Sequence, residues 1–430
     1  MRAPLNRLDR LWRRRLRDPL RARWRGWRYR AMPIAMVTGS KGKSTTTRLL
    51  AAILREMGHT VGVATTNDAR IGDEILHVGD VAGFTGAKFV FADGRATAAA
   101  LETARGGVIR HGLYLRPVTA AALLNVGNDH IGTDGVATVD DMALVKRRVI
   151  DAARCVVLNA DDARCAALTG RYRTRRVLLF SLHSASPQVA AHLAVGGKAV
   201  IVDADRDVAI LRPGSPARKL MAVADIPVTQ GGRIGHFIAD ALAAAALGLA
   251  LGADDEAIRR GLAAFAAGPA QNPARMNFMP GYPVTIMVDQ ALEATVFTQV
   301  ARHACDIAGE GPRLAVLSNV GNRTDDHLRA MGRAAGAIYP KLIVYEDEET
   351  RRGRAPGEIA GLIAEGAHEA GLQGEAVEIL LDRDAAMVRA AHSAVPGGLV
   401  HIVAQTGDPA ALVEAAFGPP AASLKDAVPC

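Results

Sequence analysis

The stretch "MVTGSKGKSTTTRLL", Met36–Leu50, decides how this chain is read. An apolar strand, Ile34–Thr38, runs into a turn crowded with glycines, lysines and hydroxyls. A helical pattern follows, with Leu49, Leu50, Ile53, Leu54 and Met57 on one face and Gly58 as its stop. A turn of this kind through Gly39, Ser40, Lys41, Gly42, Lys43 and Ser44 gathers backbone N–H groups and a helix N-terminus at one point, which makes a cradle for an anion. Lys43 is placed to reach the β- and γ-phosphates of a nucleotide and Ser44 to ligate Mg²⁺, with Thr45 beside them in the same site. The full P-loop pattern has another glycine five residues before Gly42, and this chain has Val37 there. The plain alternative, a glycine turn capping an ordinary helix, leaves the lysine and the hydroxyls unexplained.

Outward from this turn, short apolar runs alternate with helical patterns, the rhythm of a parallel sheet covered by helices. Strands are expected at Val61–Thr65, Ala98–Leu101, Ala120–Leu124, Val156–Asn159 and Val177–Phe180. Residues 185–230 read as a small antiparallel sub-sheet, and an alanine-rich helix follows from Ile234 to about Leu251. Proline, glycine and asparagine cluster at Gly268–Arg275, and the alternation then restarts through PVTIMV, LAVLS, KLIVY, AVEILL and LVHIVAQ. The expected division is a basic segment 1–30, a nucleotide-binding α/β domain 31–270 and a Rossmann-like domain 271–430. The longest nearly unbroken apolar run, Ala241–Ala253, has 13 residues, too few to cross a bilayer. The four cysteines show no metal-ligand spacing, so a cytoplasmic protein with reduced thiols is expected.

The net charge of +8 across 430 residues raises nucleic-acid binding, and the distribution of that charge argues against it. Residues 1–30 carry twelve arginines against two aspartates, and the other 400 residues sum to −2. The same segment holds all three tryptophans, Trp12, Trp24 and Trp27. Leu5, Leu8, Trp12, Leu16, Leu20 and Trp24 recur at helical spacing, with Pro19 expected to kink or split the helix. That stripe either packs on the protein's own body or meets an anionic membrane surface or an acidic partner.

The shortened loop G-[ST]-x-G-K-[ST] resembles that of the Mur ligase superfamily. Other segments agree with it in type and order: "LETARGGVIRHGL" (Leu101–Leu113), "LLNVGNDHIG" (Leu123–Gly132), "DDMALVKRRVIDAARCVVLNADD" (Asp140–Asp162) and "YEDEETRRGRAPGEIAGLI" (Tyr345–Ile363). The set, spanning about residues 34–405, is most similar to the Mur-ligase-like half of cyanophycin synthetases. The resemblance implies a P-loop domain with a parallel sheet followed by a Rossmann-like domain. Its implied chemistry is ATP- and Mg²⁺-dependent amide ligation, in which a carboxylate is activated as an acyl phosphate and displaced by an amine. It also implies roles for particular residues. Glu102 joins Ser44 at the first Mg²⁺, or is a strand-end glutamate in an ion pair. His130, after Asp129, ligates a second Mg²⁺ and serves the catalysis, or is structural. Lys146 is a carbamate that holds that metal, or an ordinary solvated helix lysine. Arg275 and Asp289 are nucleotide contacts in the last domain.

The chain departs from the family pattern on the nucleotide's far side. Phe237 and Asp240 stand where two asparagines are expected, and Leu292 and Glu293 stand where a histidine and an asparagine are expected. The implied partners are an amino acid and an acidic peptide or polyamide acceptor, with a separate ATP-grasp ligase supplying what this chain does not contain. The competing reading is a degenerate nucleotide-binding subunit with a regulatory or scaffolding role. Arg352–Arg354 either bind an acidic substrate or form a solvated loop.

Overall fold

The computed structural model describes residues 18–127, 135–266, 268–405 and 407–421. The chain divides into two compact units, Met1–Ala266 and Ala267–Cys430.

The first unit is built on one 11-stranded sheet. In spatial order its strands are Arg218–Ala222, Asp207–Leu211, Lys198–Val202, Val177–Ser181, Ala153–Asn159, Val118–Leu123, Ile34–Thr38, Ala98–Glu102, Val61–Ala64, Asp68–Ile71 and Glu74–Val78. The strands from Lys198–Val202 through Val61–Ala64 are parallel, and an antiparallel pair extends each edge. The expected antiparallel pieces of residues 185–230 are therefore continuous with the main sheet. The hairpin Asp68–Val78 was not anticipated from the sequence; its outer strand is mostly exposed and shows little apolar alternation.

Ile34–Thr38 and Ala98–Glu102 are buried at every position, as expected for parallel strands covered on both faces. The helix Lys43–Glu56 covers this region and is held from outside by the helix Asp255–Ala264. There a Cβ on Gly261 would lie 2.5 Å from the Ile53 Cα, so only glycine permits the approach. The alanine-rich helix runs Gly235–Ala250.

The second unit has a six-stranded sheet, in order Asn277–Met279, Thr285–Asp289, Leu399–Val403, Arg313–Leu317, Lys341–Val344 and Val377–Ile379. All neighbours are parallel except the first pair. The α/β fold class, with a large mostly parallel P-loop sheet and a smaller Rossmann-like one, is the one expected.

His401 is fully buried on a central strand of the second sheet. Its Nδ1 is 2.7 Å from the Tyr339 hydroxyl, and its ring stacks on Phe297 at 5.1 Å. Burial pushes its pKa down to about 3, so the folded state holds the neutral ring. The unfolded chain takes up that proton near pH 6.5. His401 therefore contributes nothing to pH dependence above that value, and stability falls as pH drops from about 6.5 toward 3, by about 1.4 kcal/mol per unit. Urea unfolding followed by circular dichroism between pH 7 and pH 4 checks this: His401→Phe is expected to show a shallower acid loss than the parent chain. Equal slopes in the two proteins would refute it.

Candidate functional site

The site grows from the end of strand Ile34–Thr38. Gly42 adopts φ +82° at the start of the following helix, which has no side-chain cap. Its first-turn N–H groups are therefore not taken up by a capping side chain and face the loop. Asn125, just past the neighbouring strand Val118–Leu123, braces the turn. Its Oδ1 accepts from the Ser40 and Lys41 amides at 2.9 Å each, and its Nδ2 donates to the Lys41 carbonyl at 3.2 Å. The Ser40 Oγ in turn accepts from the Gly127 amide at 2.8 Å. Lys43 folds back over the loop, with Nζ 3.0 Å from the Ser40 carbonyl. Gly39 lies beside Leu124, and Thr45 is buried in the first helical turn.

Glu102 is the last residue of its strand and is 1% exposed. Its Oε2 accepts from the Ser44 hydroxyl at 2.7 Å and from the Thr66 amide at 3.0 Å, while its Oε1 accepts from the Thr66 hydroxyl at 2.8 Å. The surface ion-pair reading of Glu102 is thereby excluded. A hydroxyl beside a buried carboxylate at the mouth of an anion cradle is a donor set of hard oxygens, which fits Mg²⁺. One helical turn on, Arg48 is buried and donates to Asp68 Oδ1 at 3.0 Å. Burial alone would raise the Asp68 carboxyl, yet the Arg48 charge and the Arg70 hydrogen bond and charge hold it below the usual range. Asp80, two residues past the strand Glu74–Val78, is exposed, and its Oδ1 accepts from the Ala82 amide at 3.2 Å. Partial loss of hydration and the Glu102 charge raise its carboxyl, against the Ala82 amide first and the Lys43 and Arg110 charges after it. A separate trio, Asp203, Asp205 and Asp207, is close enough to hold a cation but is already countered by Lys219.

Lys146 sits on the helix Val139–Ile150, which opens with a capping box between Thr138 and Asp141. Its side chain is 2% exposed, so it is not a solvated helix lysine. Nearby, Asp162 accepts from the Val126 amide at 3.0 Å and from the Cys165 amide at 2.9 Å. Burial and the Asp162 charge raise the Cys165 thiol, and the Lys146 charge opposes that rise. Asp129 and His130 lie outside the described residues.

Residues 37–215 match the family model of the Mur ligase middle domain. Over 372 residues the chain is 35% identical to a cyanophycin synthetase of Synechocystis sp., a match covering 86% of this chain and 42% of that protein. A cyanophycin synthetase of Nostoc sp. is 34% identical over 378 residues, 87% of this chain and 41% of the relative. Residues 37–215 thus carry a Mur ligase middle domain, and over most of its length the chain is similar to cyanophycin synthetases. It spans less than half the length of these relatives. In fold it is similar to a pseudomurein peptide ligase type C from Methanothermus fervidus, with TM-score 0.57, 17% identity, and coverage of 90% of this chain and 77% of that one.

Where the superfamily pattern has asparagines, Phe237 and Asp240 are both buried. Asp240 is turned to the loop: its Oδ1 accepts from the Thr46 hydroxyl at 3.2 Å, and a Cβ on Gly42 would lie 2.0 Å from the same oxygen. The substituted position therefore supports the anion loop from behind. His236 remains exposed against the Phe237 ring.

The second unit brings Arg275 and Asp289 together. Arg275 donates to the Gln290 side chain and the Ala274 carbonyl at 2.8 Å each, and Asp289 accepts from the Met276 amide at 2.8 Å. Burial raises the Asp289 carboxyl against the Arg275 charge and neighbouring amides. Ala274 and Met276, on either side of Arg275, both hold left-handed backbone at φ +53° and +51°. The Leu292 carbonyl accepts from Asn319 at 3.0 Å and lies 2.9 Å from His327 Nε2. Arg354 is bound to Gly321, Arg323, Asp325 and Glu358, which makes it a clamp of its own loop. Beside it a cavity of about 630 Å³ is lined by six carboxylates, including Asp347, Glu349 and Asp382, against Arg351 and Arg383. Glu346 in this lining also caps the helix Glu358–Glu369 through three backbone amides.

Gly42→Ala is expected to be worse than a strained turn alone. Gly58 has a similar φ of +84° with open space around it, so Gly58→Ala costs only strain, about 1 kcal/mol. Gly42→Ala adds collision with Asp240, raising the loss to roughly 2–4 kcal/mol and weakening ATP binding. Denaturant melts and ATP titration of both variants and of the double variant Gly42→Ala/Asp240→Ala check this. The double variant is expected to recover part of the loss, and failure to recover any would locate the strain elsewhere.

Proposed function

We propose that this chain is an ATP-dependent carboxylate–amine ligase that joins an amino acid to a peptide or polyamide carboxylate. The observation that carries this reading is the Ser44–Glu102 hydrogen bond of 2.7 Å at the mouth of the glycine loop. It supports the reading by setting a hydroxyl and a buried carboxylate, oxygen donors suited to Mg²⁺, beside the glycine loop, in a chain whose relatives bear ligase and synthetase names.

A substrate carboxylate oxygen attacks the γ-phosphorus of ATP. An O–P bond forms, the bond from the γ-phosphorus to the β,γ-bridging oxygen breaks, and ADP leaves. The amine nitrogen then attacks the acyl carbon, the C–O bond to phosphate breaks, and the amine gives up a proton as inorganic phosphate departs. Lys43 and the first-turn amides of the helix Lys43–Glu56 orient the phosphates and bear their charge. Ser44 and Glu102 would hold Mg²⁺, which when bound supplies further neutralisation of that charge. Lys146, buried near Asp162, is the position proposed for a carbamate that with His130 would hold a second Mg²⁺. Arg275 and Asp289 are the proposed nucleotide contacts of the second unit. The carboxylate-rich cavity there suits an amino acid with a cationic side chain. An ATP-grasp ligase activity is the proposed partner for polymer growth.

The regulatory reading rests on Phe237, Asp240, Leu292 and Glu293, and one assay separates the two. Phosphate release from Mg-ATP is measured with pooled amino acids and acceptor peptides. Release is expected to need both substrates, to fall roughly 100-fold or more in Lys43→Ala, and to need more Mg²⁺ in Glu102→Gln. ATP binding without release under any pool would leave a nucleotide-binding subunit.

A further inference from the structure

The helix Asp18–Arg28 is seated on the first unit by its small face. Ala22 and Gly26 are buried, and a Cβ on Gly26 would lie 2.2 Å from the Arg116 carbonyl group. The Arg116 amide donates to the Ala22 carbonyl at 2.9 Å. Arg25 lies over the Tyr114 ring at 4.1 Å and donates to the Tyr114 carbonyl at 2.9 Å. These contacts fix the rotation of the helix, because no larger residue than glycine fits where it touches the body.

With that rotation fixed, the large apolar residues face away. Leu20, Trp24 and Trp27 are 63%, 57% and 62% exposed. At about 100° per residue they share a sector of roughly 60°, with Arg21 and Arg28 on one flank and Arg23 on the other. Arg21, Arg23, Arg28 and Arg30 are all exposed, and residues 19–30 contain no acid. Arg28 and Arg30 lie over the Trp24 and Trp27 rings, at 5.7 and 4.7 Å. For these described residues, packing of the Leu20–Trp24 stripe on the body is thus overturned.

We propose that this face docks the protein on an anionic lipid surface. The exposed indoles share one helix face flanked by exposed arginines with no acid in residues 19–30, a pattern complementary to an anionic surface. Indoles settle at the headgroup boundary, while arginines on both flanks meet lipid phosphates and carboxylates. Among the described residues no helix is long and apolar enough to cross a membrane, and the arrangement is one that lies on its surface.

All three tryptophans of the chain lie in residues 12–27, so its indole emission reports on this segment alone. The experiment uses the full chain with phosphatidylcholine vesicles, with and without phosphatidylserine, in flotation and fluorescence. Phosphatidylserine vesicles are expected to float the protein at least about tenfold better than phosphatidylcholine alone, with a blue shift of emission that salt reverses. Trp24→Ala/Trp27→Ala should lose this binding while keeping the parent melting curve, since both side chains are exposed. Replacing Arg21, Arg23, Arg28 and Arg30 by glutamine should weaken it in the same way. The proposal is overturned if phosphatidylserine vesicles do not bind, or if binding survives loss of both indoles. It is also overturned if polyglutamate binds as tightly and displaces the vesicles, which would assign the face to an acidic polymer.

Discussion

A carboxylate with 1% of its surface exposed must be answered by donors, and Glu102 is answered by three. An unpaired buried charge of this kind would cost several kcal/mol. The requirement ties together parts of the chain that are distant in sequence. Ser44 comes from the loop helix, Thr66 follows the strand Val61–Ala64, and Glu102 ends the strand between the two. The parallel register that pairs Val37 with Glu102 brings the carboxylate level with the start of the glycine turn. Sheet register, loop position and the pairing of the Ser44 hydroxyl with the Glu102 carboxylate are consequently one constraint.

A second layer keeps the loop from relaxing. Asn125 holds the turn from one side by occupying the Ser40 and Lys41 amides, and Asp240 holds it from behind through Thr46. Two amides that a bare loop would offer to phosphate are thereby committed to shape. The N–H groups that face the cradle are those of the uncapped helix, whose first turn has no side chain competing for them. Asp240 shows how a departure from a family pattern changes meaning once placed. An asparagine replaced by aspartate reads in sequence as a lost base contact, and in the structure the carboxylate is packed against Gly42, where a Cβ would lie 2.0 Å from its Oδ1.

Much of this was legible in the sequence because it is local. The strand–turn–helix at Met36–Leu50 and the parallel alternation follow from periodicity and glycine placement. Glu102 was legible only as a strand end. Its burial depends on the crossover that sets Ala98–Glu102 beside Ile34–Thr38, which no window of sequence contains. Lys146 is a different case, since Met142, Lys146 and Val149 recur at four- and three-residue spacing and all three are buried. The apolar face of that helix already contained the lysine, and periodicity alone argued against a solvated position. Asn125 carried no such signal, because its role is made by side-chain bonds to a turn 84 and 85 residues away.

The N-terminal helix shows the limit of hydrophobic periodicity as a guide to burial. The leucine and tryptophan stripe is the stronger apolar signal, and the ordinary inference turns such a stripe inward. What decides the outcome is close approach. The face with Ala22 and Gly26 lets the helix backbone meet the Arg116–Pro117 backbone, and Arg25 closes the contact over Tyr114. Seating the indoles inward would forfeit that approach and place the flanking Arg21, Arg23 and Arg28 against the body, where their desolvation would have to be met by carboxylates. Small residues thus win the interior and large ones are left to the surface, so the arginines stay hydrated and the aromatic strip is held in one fixed direction.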